Sequence, residues 1–192
     1  MKKLLITGFE PFGGEQTNPS FEALADFPDE INGYSVVKLQ VPVVFGKAGE
    51  TVIKAAEKIS PDVILCIGQA GGRDAITPEL VAINLRYAAI PDNSGYQPKD
   101  EPIIENGENA LFSTLPVREM AAAVNAAGVP ARVSYSAGTY VCNDLLYTLL
   151  DHFRGSKTRI GFIHVPYSAD QKKDPSMKLG EIVRALTAAI VF

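Results

Sequence analysis

The chain has only two cysteines, Cys66 and Cys142, and only two histidines, His152 and His164. Two cysteines are too few for a disulfide framework or a four-cysteine zinc site, and the two histidines add no recognisable ligand cluster. No metal and no cofactor is therefore expected. Excess charge of one sign is also missing: 18 Lys and Arg against 22 Asp and Glu leave a net charge of −4, which argues against nucleic acid and anionic membranes as partners. No apolar run approaches the roughly 18–20 residues of a membrane span. The short run in MKKLLITGFE is ended by Gly8, Glu10 and Pro11, too early for a secretory signal. These absences predict a cytoplasmic protein whose cysteines stay reduced, so that each thiol is either core filler or a nucleophile.

What is present is an ordinary globular composition, 46% hydrophobic and 21% charged over 192 residues, enough for one domain spanning 1–192 with a sizeable core. Short apolar runs alternate with longer amphipathic segments, the pattern of a sheet covered by helices. Lys3 to Thr7 (KLLIT) and Val63 to Ile67 (VILCI) are near-continuous apolar runs and predict central strands buried on both faces. Further strands are expected at Tyr34 to Val41, Val81 to Tyr87, Ala131 to Ser136 and Arg159 to His164. Helices are expected at Phe45 to Ile59, Pro116 to Ala127 and Asn143 to Phe153. A last helix is expected to be capped by Asp174, with Pro175 in its first turn. Pro91 to Gly107 is the longest irregular stretch, a length that often marks a functional loop.

Cys142 stands where a helix begins, after the turn Ala137-Gly138-Thr139-Tyr140. There the free backbone N–H groups and the helix dipole favour an anion, which predicts a lowered thiol pKa and a place for an oxyanion. Inert packing is the competing reading, since free cysteine is among the most buried residue types. A cysteine nucleophile needs a base. His152 lies ten residues further along the same helix, too far at about 1.5 Å per residue. His164 ends the strand RIGFIH, at the sheet edge where open α/β folds bind ligands, although a solvated loop histidine would look the same. Glu79 follows the glycine-rich loop after VILCI. It can orient a histidine, pair with Arg73 or face water. The opening loop TGFEPFGG follows the first strand but matches neither the Walker A nor the dinucleotide glycine pattern. Its Phe9 and Phe12 either anchor the loop on the core or wall a small apolar pocket.

Five segments occur together and in order: TGFEPFGG with NPS following, GQAGGRDAITPELVAIN, IPDNSGYQP, SAGTYVCNDLLY and HVP. In them the sequence resembles the pyroglutamyl peptidase I family, also called pyrrolidone-carboxylate peptidases, which are cytosolic cysteine peptidases. The resemblance implies a single-domain three-layer α/β/α fold with a central twisted, mostly parallel sheet, often assembled as a homotetramer. It implies Cys142 as nucleophile, His164 as general base and acid, and Glu79 as the group that orients His164. It also implies a pyroglutamyl pocket involving Phe9, Phe12, Val141 and Gln69, and peptides with N-terminal pyroglutamate as substrates. One segment departs from the family pattern Ala-Arg-Ile-Pro-Asp-Asn. Here it reads Ala88-Ala89-Ile90-Pro91-Asp92-Asn93, with Ala89 at the arginine position. The departure implies either a slower enzyme or a substitute cation, for which Arg86 is the candidate.

Overall fold

The two near-continuous apolar runs lie side by side at the centre of one sheet in a computed structural model that describes residues 1–192. The chain runs β1 (Lys2–Phe9), α1 (Pro19–Ala25), β2 (Glu30–Ile31), β3 (Tyr34–Val41), α2 (Lys47–Ile59), β4 (Val63–Gln69), β5 (Thr77–Pro78) and β6 (Val81–Ile83). It continues through β7 (Ala110–Phe112), α3 (Val117–Ala126), α4 (Val141–His152), β8 (Arg159–Val165), β9 (Tyr167–Ser168), a 3₁₀ turn (Ala169–Gln171), β10 (Ser176–Met177) and α5 (Leu179–Ala188). The main sheet has the order β2-β3-β1-β4-β8-β5. Its four inner strands are parallel, and the two-residue strands β2 and β5 close the edges antiparallel.

Alternate residues of each strand point to opposite faces, so a strand buried on both sides must feed two cores. Leu4, Ile6, Leu65, Ile67, Ile163 and Val165 join a cluster of 22 buried residues with α1, α3 and α5. Leu5, Ile64, Cys66, Ile160 and Phe162 join a second cluster of 21 with α2 and α4. The result is the expected three-layer α/β/α arrangement. No helix is long and apolar enough to cross a membrane.

Several boundaries differ from the sequence expectation. The strand foreseen at Val81 to Tyr87 ends at Ile83. Ala131 to Ser136 forms no strand but runs beside residues 76–80 through two isolated bridges, Ile76 with Ala131 and Glu79 with Ser134. The last helix starts at Leu179 rather than beside Asp174, because Ser176–Met177 is extended and pairs with Tyr167–Ser168. A short helix, α1, was not foreseen. Asn18 caps it by accepting from Ser20 N, and Pro19 opens its first turn.

The irregular stretch after β6 is held by side-chain bonds rather than by secondary structure. Asp92 is buried; its Oδ2 accepts from Phe45 N at 3.0 Å, while its Oδ1 accepts from Ser94 N, Ser94 Oγ and Tyr96 N at 2.9, 2.7 and 3.0 Å. Burial alone would push this carboxyl up, but these donors outweigh burial and hold it below the usual range. A depressed carboxyl contributes stability above its unfolded pKa, and the contribution is lost as pH falls through the lower folded value. Asp92→Ala is therefore expected to cost about 2 kcal/mol in urea unfolding at neutral pH. The gap to the wild type should narrow once the pH drops below about 3.9. A variant as stable as the wild type at neutral pH would contradict this assignment.

Candidate active site

The register of β4 with β8 sets Gly68 directly beside His164. Phe162 and Cys66, two residues earlier on their strands, pack in the α2/α4 core, so His164 and Gly68 face the same layer as α4. The first turn of α4 comes down on this spot. A Cβ on Gly68 would stand 2.7 Å from Phe162 Cζ and 2.9 Å from Cys142 Sγ, so the position must be glycine for the sulfur to sit there. Cys142 is the second residue of α4, within the first turn as the sequence suggested. Phe9, Phe12, Gln69, Val141, Cys142 and His164 all line one cavity of about 100 Å³.

Glu79 lies behind His164 rather than in the cavity wall and is fully buried. Its Oε1 is 2.7 Å from His164 Nδ1 and also accepts from Arg73 Nη1 at 2.6 Å. Orientation of the histidine and pairing with Arg73 are thus not alternatives, because one carboxylate oxygen serves both. Arg73 also donates to Thr77 Oγ1 at 2.5 Å and to the Ser136 carbonyl at 3.2 Å. With an ionised carboxylate at Nδ1, the ring carries its proton there and keeps Nε2 as its bare, basic nitrogen.

The electrostatics correct one expectation. Burial, followed by the negative charge of Glu79, pushes the Cys142 thiol up, and Arg73 opposes this only in part. The backbone N–H at the helix start also lowers it, but by less than burial raises it. Burial also pushes the His164 imidazole down more strongly than Glu79 raises it, with Arg73 acting in the same direction as burial. Burial by itself would raise Glu79, but the bond and charge of His164 and the charge of Arg73 leave it below its usual range. The resting state is therefore a neutral thiol beside a neutral imidazole and an ionised carboxylate. Such a set can generate a thiolate by proton transfer to the imidazole when a carbonyl is in reach. Cys66, fully buried, is pushed up to about 12 by burial and has no part in the cavity.

Four cavity residues were not foreseen: Asn18, Val43, Ala137 and Tyr140. Tyr140, the residue that precedes α4, packs edge-on against Phe45 at 5.3 Å and near Phe12 at 6.2 Å, and its hydroxyl donates to the Pro91 carbonyl at 3.0 Å. Its aromatic type beside the cysteine was a usable signal. Val43 gave none, since it comes from the β3–α2 connection and reaches the cavity through the folded backbone. Glu10 Oε1 accepts from both Val43 N and Asn93 Nδ2, at 3.0 and 2.8 Å, and so ties the opening loop to two other walls. Ala89 does not line the cavity, and its carbonyl accepts from Gln97 Nε2. Arg86 does not line the cavity either. Its Nε is 2.6 Å from Oδ1 of Asp144, a fully buried carboxylate whose Oδ2 accepts from Gly46 N.

Known proteins resemble this chain over almost its whole length. The Lactobacillus johnsonii pyrrolidone-carboxylate peptidase is 50% identical over 195 residues, covering 98% of this chain and 90% of that protein. The Thermosipho africanus pyrrolidone-carboxylate peptidase is 50% identical over 194 residues, covering 98% and 95%. Among solved structures, Bacillus amyloliquefaciens pyroglutamyl peptidase I superposes with a TM-score of 0.94 at 47% identity, covering all of this chain and 96% of that one. The pyrrolidone carboxyl peptidase of Thermococcus litoralis gives 0.94 at 40% identity, covering 99% and 92%. The family model for pyroglutamyl peptidase matches residues 2–192, and with identity of this order over almost the whole length the chain belongs to the pyroglutamyl peptidase family.

Proposed function

We propose that the protein is a cysteine exopeptidase that hydrolyses the bond after an N-terminal pyroglutamyl residue. The observation that carries this reading is the joint presence of Cys142 and His164 on one small cavity, with the buried Glu79 carboxylate bonded to the far side of the imidazole. In the reaction, Cys142 passes its proton to His164 Nε2 as the sulfur attacks the carbonyl that joins pyroglutamate to the next residue. The negative charge moves to the carbonyl oxygen, where first-turn N–H groups of α4, outside the helix's own ladder, can receive it. His164 then protonates the departing amine, leaving a thioester. Water, deprotonated by the same imidazole, cleaves the thioester, releases pyroglutamate and restores the thiol.

The cavity suits the acyl group. A pyroglutamyl ring is an uncharged lactam, and walls built from Phe9, Phe12, Val43 and Tyr140 accept it without burying a charge. A prolyl terminus has nearly the same shape, but its secondary ammonium would lose its hydration there with no carboxylate in the wall to replace it. Two amides lie in the wall; Asn18 is engaged with Ser20 and the Glu10 carbonyl, which leaves Gln69 to supply polar groups for the lactam edge. By likeness to the family, the whole chain 1–192 serves as one peptidase domain in a cytoplasmic homotetramer. Light scattering that finds a monomer at every concentration tested would overturn the assembly.

The direct test is release of a fluorescent amine from a pyroglutamyl amide, with the prolyl amide alongside. Release from the first only is expected, and Cys142→Ala should abolish it while remaining folded. Iodoacetamide should consume one thiol in the folded protein, at Cys142, because that sulfur opens on the cavity with His164 there to take its proton, with loss of activity, and should reach the buried Cys66 only on unfolding. Folded, reduced protein that releases nothing from the pyroglutamyl amide, or a Cys142→Ala variant that keeps its rate, would sink the proposal.

The pH dependence follows from the sign of the His164 shift. Below its pKa the imidazole already holds a proton and cannot accept the thiol's, so kcat/KM should fall on the acid side. Because burial depresses that pKa, the midpoint is expected below the ordinary histidine value of 6.5. An acid midpoint above 6.5 would mean that the Glu79 interaction outweighs burial.

A further inference from the structure

Arg73 is the one charged group near the proposed acid–base pair that the mechanism above leaves without a task. Its guanidinium is a quarter exposed, yet it reaches the fully buried carboxylate of Glu79. Both Arg73 Nη1 and His164 Nδ1 converge on Oε1, while the buried Oε2 makes no hydrogen bond of normal geometry and has only the nearby Ser134 hydroxyl, itself bonded to the Ser136 carbonyl, to help hold its charge. A buried carboxylate with one poorly satisfied oxygen is costly unless a full positive charge stands close to it. Only two groups can supply that charge: Arg73, permanently, or His164, by taking up a proton. If the imidazole supplied it, it would no longer be a base.

We infer that Arg73 is a positioning residue for the proposed hydrolysis: it neutralises and anchors Glu79 through the oxygen that faces His164, and so leaves the imidazole neutral with Nε2 available. The anchoring is two-sided. Arg73 donates to Thr77 Oγ1 and to the Ser136 carbonyl as well, which joins the loop after β4, the edge strand β5 and the segment leading into α4 around one carboxylate. Thr77 is the residue paired with His164 across β5 and β8. The fork geometry matters, because a lysine would place a point charge near Oε1 without reaching all three acceptors. The charged groups that act on His164 are Glu79 and Arg73. Cys142 approaches it from α4 as a neutral thiol, and Phe162, its neighbour on β8, is apolar. The Asp74–Arg132 pair lies outside this group on the exposed surface.

This inference rests on the peptidase reading, and its test separates the two. With only two histidines in the chain, the titration of His164 can be followed by proton NMR and assigned with His152→Gln, without any turnover. In Arg73→Met the His164 midpoint should move upward, since the remaining Glu79 charge favours the imidazolium. Its kcat on the pyroglutamyl amide should fall on the order of tenfold with KM little changed, as when the orienting partner of a functional histidine is lost. Arg73→Lys should return the midpoint towards the wild type and recover only part of kcat. Arg132→Met, which removes a nearby surface charge, should move neither. A folded Arg73→Met protein with an unshifted His164 midpoint, or with full kcat, overturns the inference and reduces Arg73 to a loop staple. Should the wild type release no amine, the peptidase reading fails, and the NMR midpoint alone decides whether Arg73 controls the charge of His164.

Discussion

The site depends on one register, that of β4 against β8. Parallel pairing from Val63 with Arg159 to Gln69 with Val165 brings both strand ends to the same edge and sets Gly68 beside His164. Side chains alternate along a strand, so a slip of one residue would turn His164 towards the α1/α3/α5 layer and away from α4. The same slip would expose Ile163 and Val165 to the wrong core. Hydrophobic burial on both faces thus fixes the position of a polar residue, and the missing Cβ at Gly68 gives the sulfur its place. The chemistry inherits its geometry from packing that is almost entirely apolar.

Much of this was readable from the chain because central strands have a strong signature. KLLIT and VILCI are buried on both faces and therefore lack alternation, and both appear as central parallel strands. The residues that the structure gathers round the cavity were readable for a different reason, since they lie at or just beyond strand ends or at the start of α4. What escaped the sequence was whatever depends on partners distant in the chain. Ala131 to Ser136 has strand-like composition but sits at an edge where only two isolated bridges form. Ser176–Met177 becomes extended because Tyr167–Ser168 is there to pair with it, and this delays α5 past the Asp-Pro that looked like its start. Val43 joins the cavity through a backbone position that no local pattern records.

The thiol is the instructive failure. A helix start predicts a stabilised thiolate, and α4 does begin beside Cys142. Burial and Glu79, which is 63 residues away in sequence, reverse the outcome. Burial penalises any charged form and Glu79 adds a like charge, and the two together outweigh what the first turn of α4 offers the thiolate. A second buried carboxylate bears on the Ala89 departure. Asp144 is held by Arg86 and by Gly46 N–H, and moving Arg86 towards the cavity would strand that charge. For the proposed reaction, this leaves backbone N–H groups of α4, rather than an arginine on the 86–89 segment, as the donors for the developing oxyanion.

Desolvation links the proposed selectivity to the acid–base balance. The apolar walls that would exclude a charged prolyl terminus also keep the thiol and the imidazole in their neutral forms. Replacing Phe9 or Phe12 with polar groups, so as to admit a charged terminus, would hydrate Cys142 and His164 and ease the penalty on their charged forms. The pair would then move towards a resting thiolate and imidazolium. Arg73 works against half of that change, because its charge favours the thiolate but disfavours the imidazolium. Specificity for an uncharged ring and a neutral resting pair are consequently two effects of one dry cavity, and neither can be altered far without the other.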